Sequence, residues 1–230
     1  MHIPDAVRAL DRDLHAIFGP RLQSLVVYRA HAARSPTPTL AVLDRLTVDD
    51  LRACAARVAG WHEEGLATPL MLGAHEFERS LDAFPFEFGG ILADHAVVSG
   101  VNPFAGVHAD PSDLRRGCEV QARSLLLHLR EGFIEAAGRS DLLAELVERS
   151  TGALAPLITS VARLLGETAA DAAAAAQQVE RQLGRPTTAF SDILSRFKRP
   201  ITPGDARDVF PAYVEAVERL TTLIDRWSAR

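Results

Sequence analysis

Residues 22–44 read LQSLVVYRAHAARSPTPTLAVLD, and the interpretation of this stretch decides the fold. Two apolar runs, Leu22–Tyr28 and Thr39–Leu43, are separated by a segment of small residues and prolines. The first run is almost continuously apolar, the pattern of a strand buried on both faces. The second is introduced by Pro36-Thr37-Pro38, and no carboxylate occurs between Tyr28 and Asp44. Proline cannot donate to a β ladder, so two prolines are compatible with a strand only at its first residues.

Around this stretch the composition is that of an ordinary globular chain. With 230 residues, 47% hydrophobic and 24% charged, there is enough for one large domain or two small ones. A formal charge of −5 gives no general reason to bind nucleic acid or an anionic membrane. Cys54 and Cys118 are too far apart for a Cys-x-x-Cys site and are expected to be small buried hydrophobes. The opening MHIPDAVRALDRDL is too charged for a signal peptide, and no run approaches the ~20 apolar residues that span a bilayer. A cytoplasmic location is expected.

Along the chain, residues 4–18 predict a first helix, with Val7, Leu10, Leu14, Ile17 and Phe18 at helical spacing, ended by Gly19-Pro20. Thr47 is the expected N-cap of a second helix that carries Leu51, Cys54, Ala55 and Val58 to about Glu64. Thr68–Leu72 then reads as a strand and His75–Leu81 as a short helix. Phe84–Leu92 reads as a strand-like run, with Val97–Val98 as its pairing partner.

From about Pro111, helical periods take over. Leu114, Cys118, Ala122, Leu125, Leu129 and Phe133 form one stripe. Leu142, Leu143, Leu146 and Val147 form another, and Leu157, Ile158, Val161, Leu164 and Leu165 a third. Residues 167–184 are Ala-rich and helical by propensity, and a last helix runs over about Asp205–Trp227. The predicted class is α+β: a small mixed-sheet domain over 1–108 and a helical bundle over 109–230. Leu126 and Leu127 widen the apolar surface of the bundle beyond one stripe, which predicts self-association, with a homodimer as its simplest form.

The order helix, LVVY, loop, LAVLD, then a helix opening LTVDDLR resembles the nucleotidyltransferase superfamily. The resemblance is to small bacterial members like the aminoglycoside nucleotidyltransferases, which append a helical domain. In that family the first strand runs into Gly-Ser and the next opens with Asp-x-Asp. The Gly-Ser turn lets backbone amides approach the nucleotide phosphates. The alternating aspartates share one face of the strand and hold Mg²⁺ against the triphosphate. In this sequence the expected Gly-Ser falls on Arg29-Ala30, and the two aspartates fall on Pro36 and Pro38. The resemblance therefore implies a degenerate member without nucleotidyl transfer, acting through binding or assembly. It leaves nucleotide binding in doubt and requires no cofactor.

Four residues are candidate ligand contacts. Arg29 stands where a phosphate-cradling turn is expected, although an exposed arginine is the plainer account. Glu87, between Phe86 and Phe88, is a candidate for a third acidic position on a neighbouring strand, or a surface carboxylate. Arg116 and Glu119 lie in LRRGCEVQAR, where Arg115, Glu119 and Arg123 have i, i+4 spacing and read first as an ion-pair row. If Glu87, Asp44 and Glu119 rebuilt a metal site, the chain would instead be an active Mg²⁺-dependent enzyme. A third alternative is a helical interaction module of a toxin–antitoxin-like pair. The histidines lack metal-ligand spacing. His95 falls in a segment where the resemblance suggests a structural hydrogen bond.

Overall fold

Alternation along two strands sorts the first half of the chain into layers. The structure is a computed structural model and describes residues 3–28, 36–107, 110–195 and 200–228. The chain divides into two compact units, Met1–Ala109 and Asp110–Arg230. In the first unit, β1 (Leu22–Tyr28) pairs antiparallel with β2 (Thr39–Leu43), with Leu25 opposite Ala41 and Val27 opposite Thr39. β3 (Leu70–Gly73) joins β2 in parallel, and β4 (His95–Gly100) joins β1 antiparallel. The order across the mixed sheet is β3-β2-β1-β4.

Neighbouring side chains on a strand point to opposite faces. Leu25, Val27, Ala41 and Leu43 therefore meet Leu10 and Leu14 of α1 (Asp5–Phe18), Cys54 of α2 (Val48–Ala55) and Trp61 of α3 (Val58–Glu63). Val26, Leu40 and Val42 meet Phe77 of α4 (Ala74–Ala83), Phe88 and Ile91 of α5 (Pro85–Ala93), and Phe104. Helices cover both faces, which is why β1 is apolar at nearly every position. Gly100 closes β4 at φ 76, and a Cβ there would overlap the Gln23 carbonyl, so the turn out of the sheet needs glycine.

Two local expectations change. Phe84–Leu92 is not a strand but helix α5, with Pro85 in its first turn. Proline suits that position because its fixed φ matches a helix and its missing N–H has no partner there anyway. Val97 consequently pairs with Val26 of β1 rather than with residues 84–92, and Val98 falls at an irregularity in that register. The helix expected from Thr47 to Glu64 breaks after Ala55, and Leu51 is exposed while Cys54 and Trp61 turn inward.

The second unit is helical: α6 (Pro111–Ala136), α7 (Ser140–Leu164), α8 (Ala172–Gln182), α9 (Ala189–Ser195) and α10 (Pro203–Arg226). The second and third apolar stripes belong to one helix, α7, which runs through Pro156. Proline presses on the residue four positions earlier and withdraws its hydrogen bond. Here that residue is Gly152, which is exposed, so water can take the freed carbonyl. Leu114, Cys118, Ala122, Leu125 and Leu129 are buried as their spacing predicts, but Phe133 is 52% exposed. Burial pushes the Cys118 thiol up to about 12, so it stays protonated and inert.

The far end of β2 is fastened by charge. Arg21, just before β1, holds Asp50 bidentately at 2.7 and 2.9 Å. Asp50 also accepts from the Thr47 N–H and hydroxyl, while Thr47 caps α2 by accepting from the Asp50 N–H. The Arg21 hydrogen bond, opposed by burial and helped by Thr47, holds the Asp50 carboxyl well below its ordinary range. A depressed folded-state pKa contributes stability that is complete above the unfolded value and is lost as pH falls toward the folded one. Asp50→Asn should therefore be less stable than the native chain at pH 7. In urea denaturation that gap should stay constant down to about pH 4 and narrow below it. A gap unchanged at pH 3 would show that the pair does not titrate as an ion pair.

Candidate functional site

The sheet end where β1 leaves and β2 begins is where the resemblance places the positions of the family's two motifs. Tyr28 closes β1 opposite His95, and its N–H donates to the Pro38 carbonyl at 3.3 Å. Facing residues of an antiparallel pair often exchange two bonds. Proline has no N–H, so this rung can have only one. On the other side, the Thr37 N–H donates to the Gly65 carbonyl at 2.8 Å, and the Thr37 carbonyl accepts from Ala67 at 3.0 Å. A parallel bridge between Thr37 and Leu66 thus carries β2 outward past its last regular residue. Thr37 supplies both bonds toward β3, and the flanking prolines occupy positions whose N–H would face the other way. This is how two prolines fit into the start of an internal strand.

The side chains at the start of β2 are neutral, and the acid nearest in the chain to this sheet end is the half-buried Asp94, just before β4. Pro36 is exposed, and Thr37 and Pro38 are half-buried. Thr39 is 1% exposed. By alternation, Pro36 and Pro38 share one face and Thr37 and Thr39 the other. Neither pair has a carboxylate, so the deficit survives a one-residue shift in how the motif is aligned. Arg29 and Ala30 lie outside the described residues, and the segment 29–35 reads RAHAARS, without an acid. His95 Nδ1 hydrogen-bonds the Leu92 carbonyl at 3.0 Å, and its ring lies 4.8 Å from that of Phe104. That is the structural bond suggested for it.

The acids named from the sequence are placed elsewhere. Asp44 follows the last residue of β2, at the opposite end of the strand from Pro38, ~20 Å along its length. Glu87 is not on a strand. It lies in the first turn of α5 and is exposed, with Phe86 and Phe88 buried beside it. Helical geometry, rather than strand alternation, separates the carboxylate from the two rings.

Glu119 sits on α6 between Arg115 and Arg123, each 3.1 Å away. Arg123 also grips Asp225 of α10 at 3.0 and 2.9 Å. Arg116 pairs with Asp113 one turn earlier. The LRRGCEVQAR row is thus an ion-pair ladder that straps α6 to α10. Among the described residues no group of three or more His, Cys, Asp or Glu could hold a metal ion. No described helix is long and apolar enough to cross a membrane.

No local sequence pattern signals the polar defect at this sheet end. Among the described residues the Thr39 Oγ1 is buried with no hydrogen-bond partner, as is the Ser24 Oγ of β1. An unpaired buried hydroxyl costs about 1–3 kcal/mol. Thr39→Val, which replaces the hydroxyl with a methyl, should raise the urea midpoint by an amount corresponding to about 1 kcal/mol. A lower midpoint would mean that the hydroxyl has a partner.

No family model matches the chain, and no curated protein matches it. Among solved structures, it is similar to a spectinomycin adenyltransferase from Enterococcus faecialis, solved with ATP and spectinomycin. The TM-score is 0.60 and the identity 10%, over 96% of this chain and 99% of that one. At that identity the likeness is one of fold, and the chain has a nucleotidyltransferase-like fold with a helical part.

Proposed function

We propose that this chain is a nucleotidyltransferase-like protein without metal-dependent nucleotidyl transfer, acting through binding or assembly. The observation that carries the reading is the start of β2, Pro36-Thr37-Pro38-Thr39, set into the sheet by the bonds of Tyr28 and Thr37. Protein Mg²⁺ sites use carboxylate oxygens together with substrate phosphates, and a two-metal displacement needs those charges beside the triphosphate. Proline and threonine side chains supply no negative charge in either register. The residues present do not fit a divalent cation, and no reaction step is derived through one.

The rebuilt-site reading has little to stand on. Asp44 is at the wrong end of β2. Glu87 is a solvent-facing residue of a helix. Glu119 already satisfies two guanidinium groups. The similarity to an enzyme solved with ATP and spectinomycin makes these two compounds the first to test.

The purified chain, incubated with Mg²⁺ or Mn²⁺ and labelled ATP, CTP, GTP or UTP, should transfer no label above the metal-free control. Spectinomycin, other aminoglycosides and proteins should be offered as acceptors. Metal-dependent incorporation that disappears in Glu87→Ala would overturn the reading and restore the rebuilt site. Incorporation that persists in that variant would overturn it in favour of other ligands.

A further inference from the structure

The helical unit contains an open cavity of about 690 Å³ between α6, α7 and α10. Its volume lies in the range of small-molecule sites, roughly 300–1,000 Å³. Its walls are apolar: Leu143 of α7, Val214 of α10, and Phe133 of α6 stacked on Phe210 of α10, with ring centres 4.9 Å apart and planes 11° from parallel. The stack shields only part of Phe133, which remains 52% exposed, and its neighbour Ile134 is 76% exposed. This is hydrophobic surface that the fold of the described residues leaves uncovered, gathered in one concave place rather than scattered.

Two arginines line the cavity, and their circumstances differ. Arg130 is neutralised by Glu218 of α10 at 2.7 Å. Arg207 is exposed, and its side chain has no ion pair or hydrogen bond among the described residues. The cavity thus offers an apolar body space and one uncompensated guanidinium, which pairs geometrically well with a carboxylate.

We propose that this cavity binds a hydrophobic monocarboxylic acid, its hydrocarbon or aryl body against the Phe133–Phe210 pair and its carboxylate on Arg207. One free cation among the described lining residues suits a single anionic charge. A triphosphate would leave most of its charge unmatched against Leu143 and Val214. Every residue in the argument belongs to the helical unit, so the proposal does not rest on whether the sheet end holds a metal.

Titration calorimetry of the full chain with decanoate, below its micelle concentration, tests this against decan-1-ol as the uncharged counterpart. Decanoate should bind saturably at one site, and decanol about tenfold more weakly, the worth of one charge-assisted hydrogen bond. Arg207→Gln should weaken decanoate by a similar factor and leave decanol unchanged. Because Arg207 is exposed and unpaired, this variant should fold normally, which circular dichroism checks. Val214→Trp should fill the cavity and abolish both. Absence of saturable binding, equal affinity for the acid and the alcohol, or decanoate affinity unaltered by Arg207→Gln would overturn the proposal. So would a dimer that Val214→Trp dissolves, since the cavity would then belong to a second copy of the chain.

Discussion

The first unit depends on burying β1 and β2 from both sides at once. Leu25, Val26, Val27, Leu40, Ala41 and Leu43 have no exposed surface, and each meets a helix on its own face of the sheet. Buried apolar area, at about 25 cal/mol per Å², is the main source of stability for such a layer. It also forbids chemistry in the middle of the sheet, because an ionised group there would lose its hydration without compensation. Polar function is confined to the strand ends. At one end, Arg21, Asp50 and Thr47 satisfy each other and lock α2 to the sheet. At the other, the strand opens with two prolines and two threonines. The same double burial that makes the fold stable therefore confines any carboxylate to the strand ends, and the start of β2 carries none.

The second unit solves its polar problems internally. The Glu180 carboxylate of α8 is buried but accepts from the Phe190 and Ser191 N–H groups and from the Ser191 hydroxyl, so it closes the start of α9. The hydroxyls of Tyr213 on α10 and Ser150 on α7 lie 3.0 Å apart, and Ser150 donates on to the Val147 carbonyl. Burial drives the Tyr213 phenol well above its ordinary value, outweighing the bond to Ser150, so it remains neutral. Trp227, just past α10, donates to the Leu164 carbonyl at the end of α7 at 2.9 Å. Among the described residues of this unit, the buried Gln178 Oε1 of α8 and the exposed Arg207 side chain stay unpaired. Arg207 lines the groove beside Phe133.

Sequence patterns revealed the long-period features and missed the short ones. The α1 stripe, the β1 and β2 runs and the Thr47 cap could be read because each repeats a signal or fixes it at a known offset. Phe84–Leu92 could not be assigned correctly, because a nine-residue apolar run looks alike as a buried strand or a buried helix; Pro85 was the overlooked start signal. α7 was hidden by Pro156, whose penalty is relieved by a glycine four residues earlier. The prolines at 36 and 38 were visible as a missing charge, but how a strand accommodates them needed the Thr37 bonds to Gly65 and Ala67. Neither the Arg21–Asp50 lock, 29 residues apart, nor the cavity at Phe133 has a local pattern, since both arise from tertiary placement.

The central claim is that the start of β2 lacks the negative charge to fix a divalent cation beside a nucleotide. Calorimetric titration of a non-hydrolysable ATP analogue, with and without Mn²⁺, measures this most directly. The account predicts that any affinity for the analogue is the same in both conditions. Tighter binding of the analogue in Mn²⁺, beyond the metal's own effect on the free nucleotide, would contradict it.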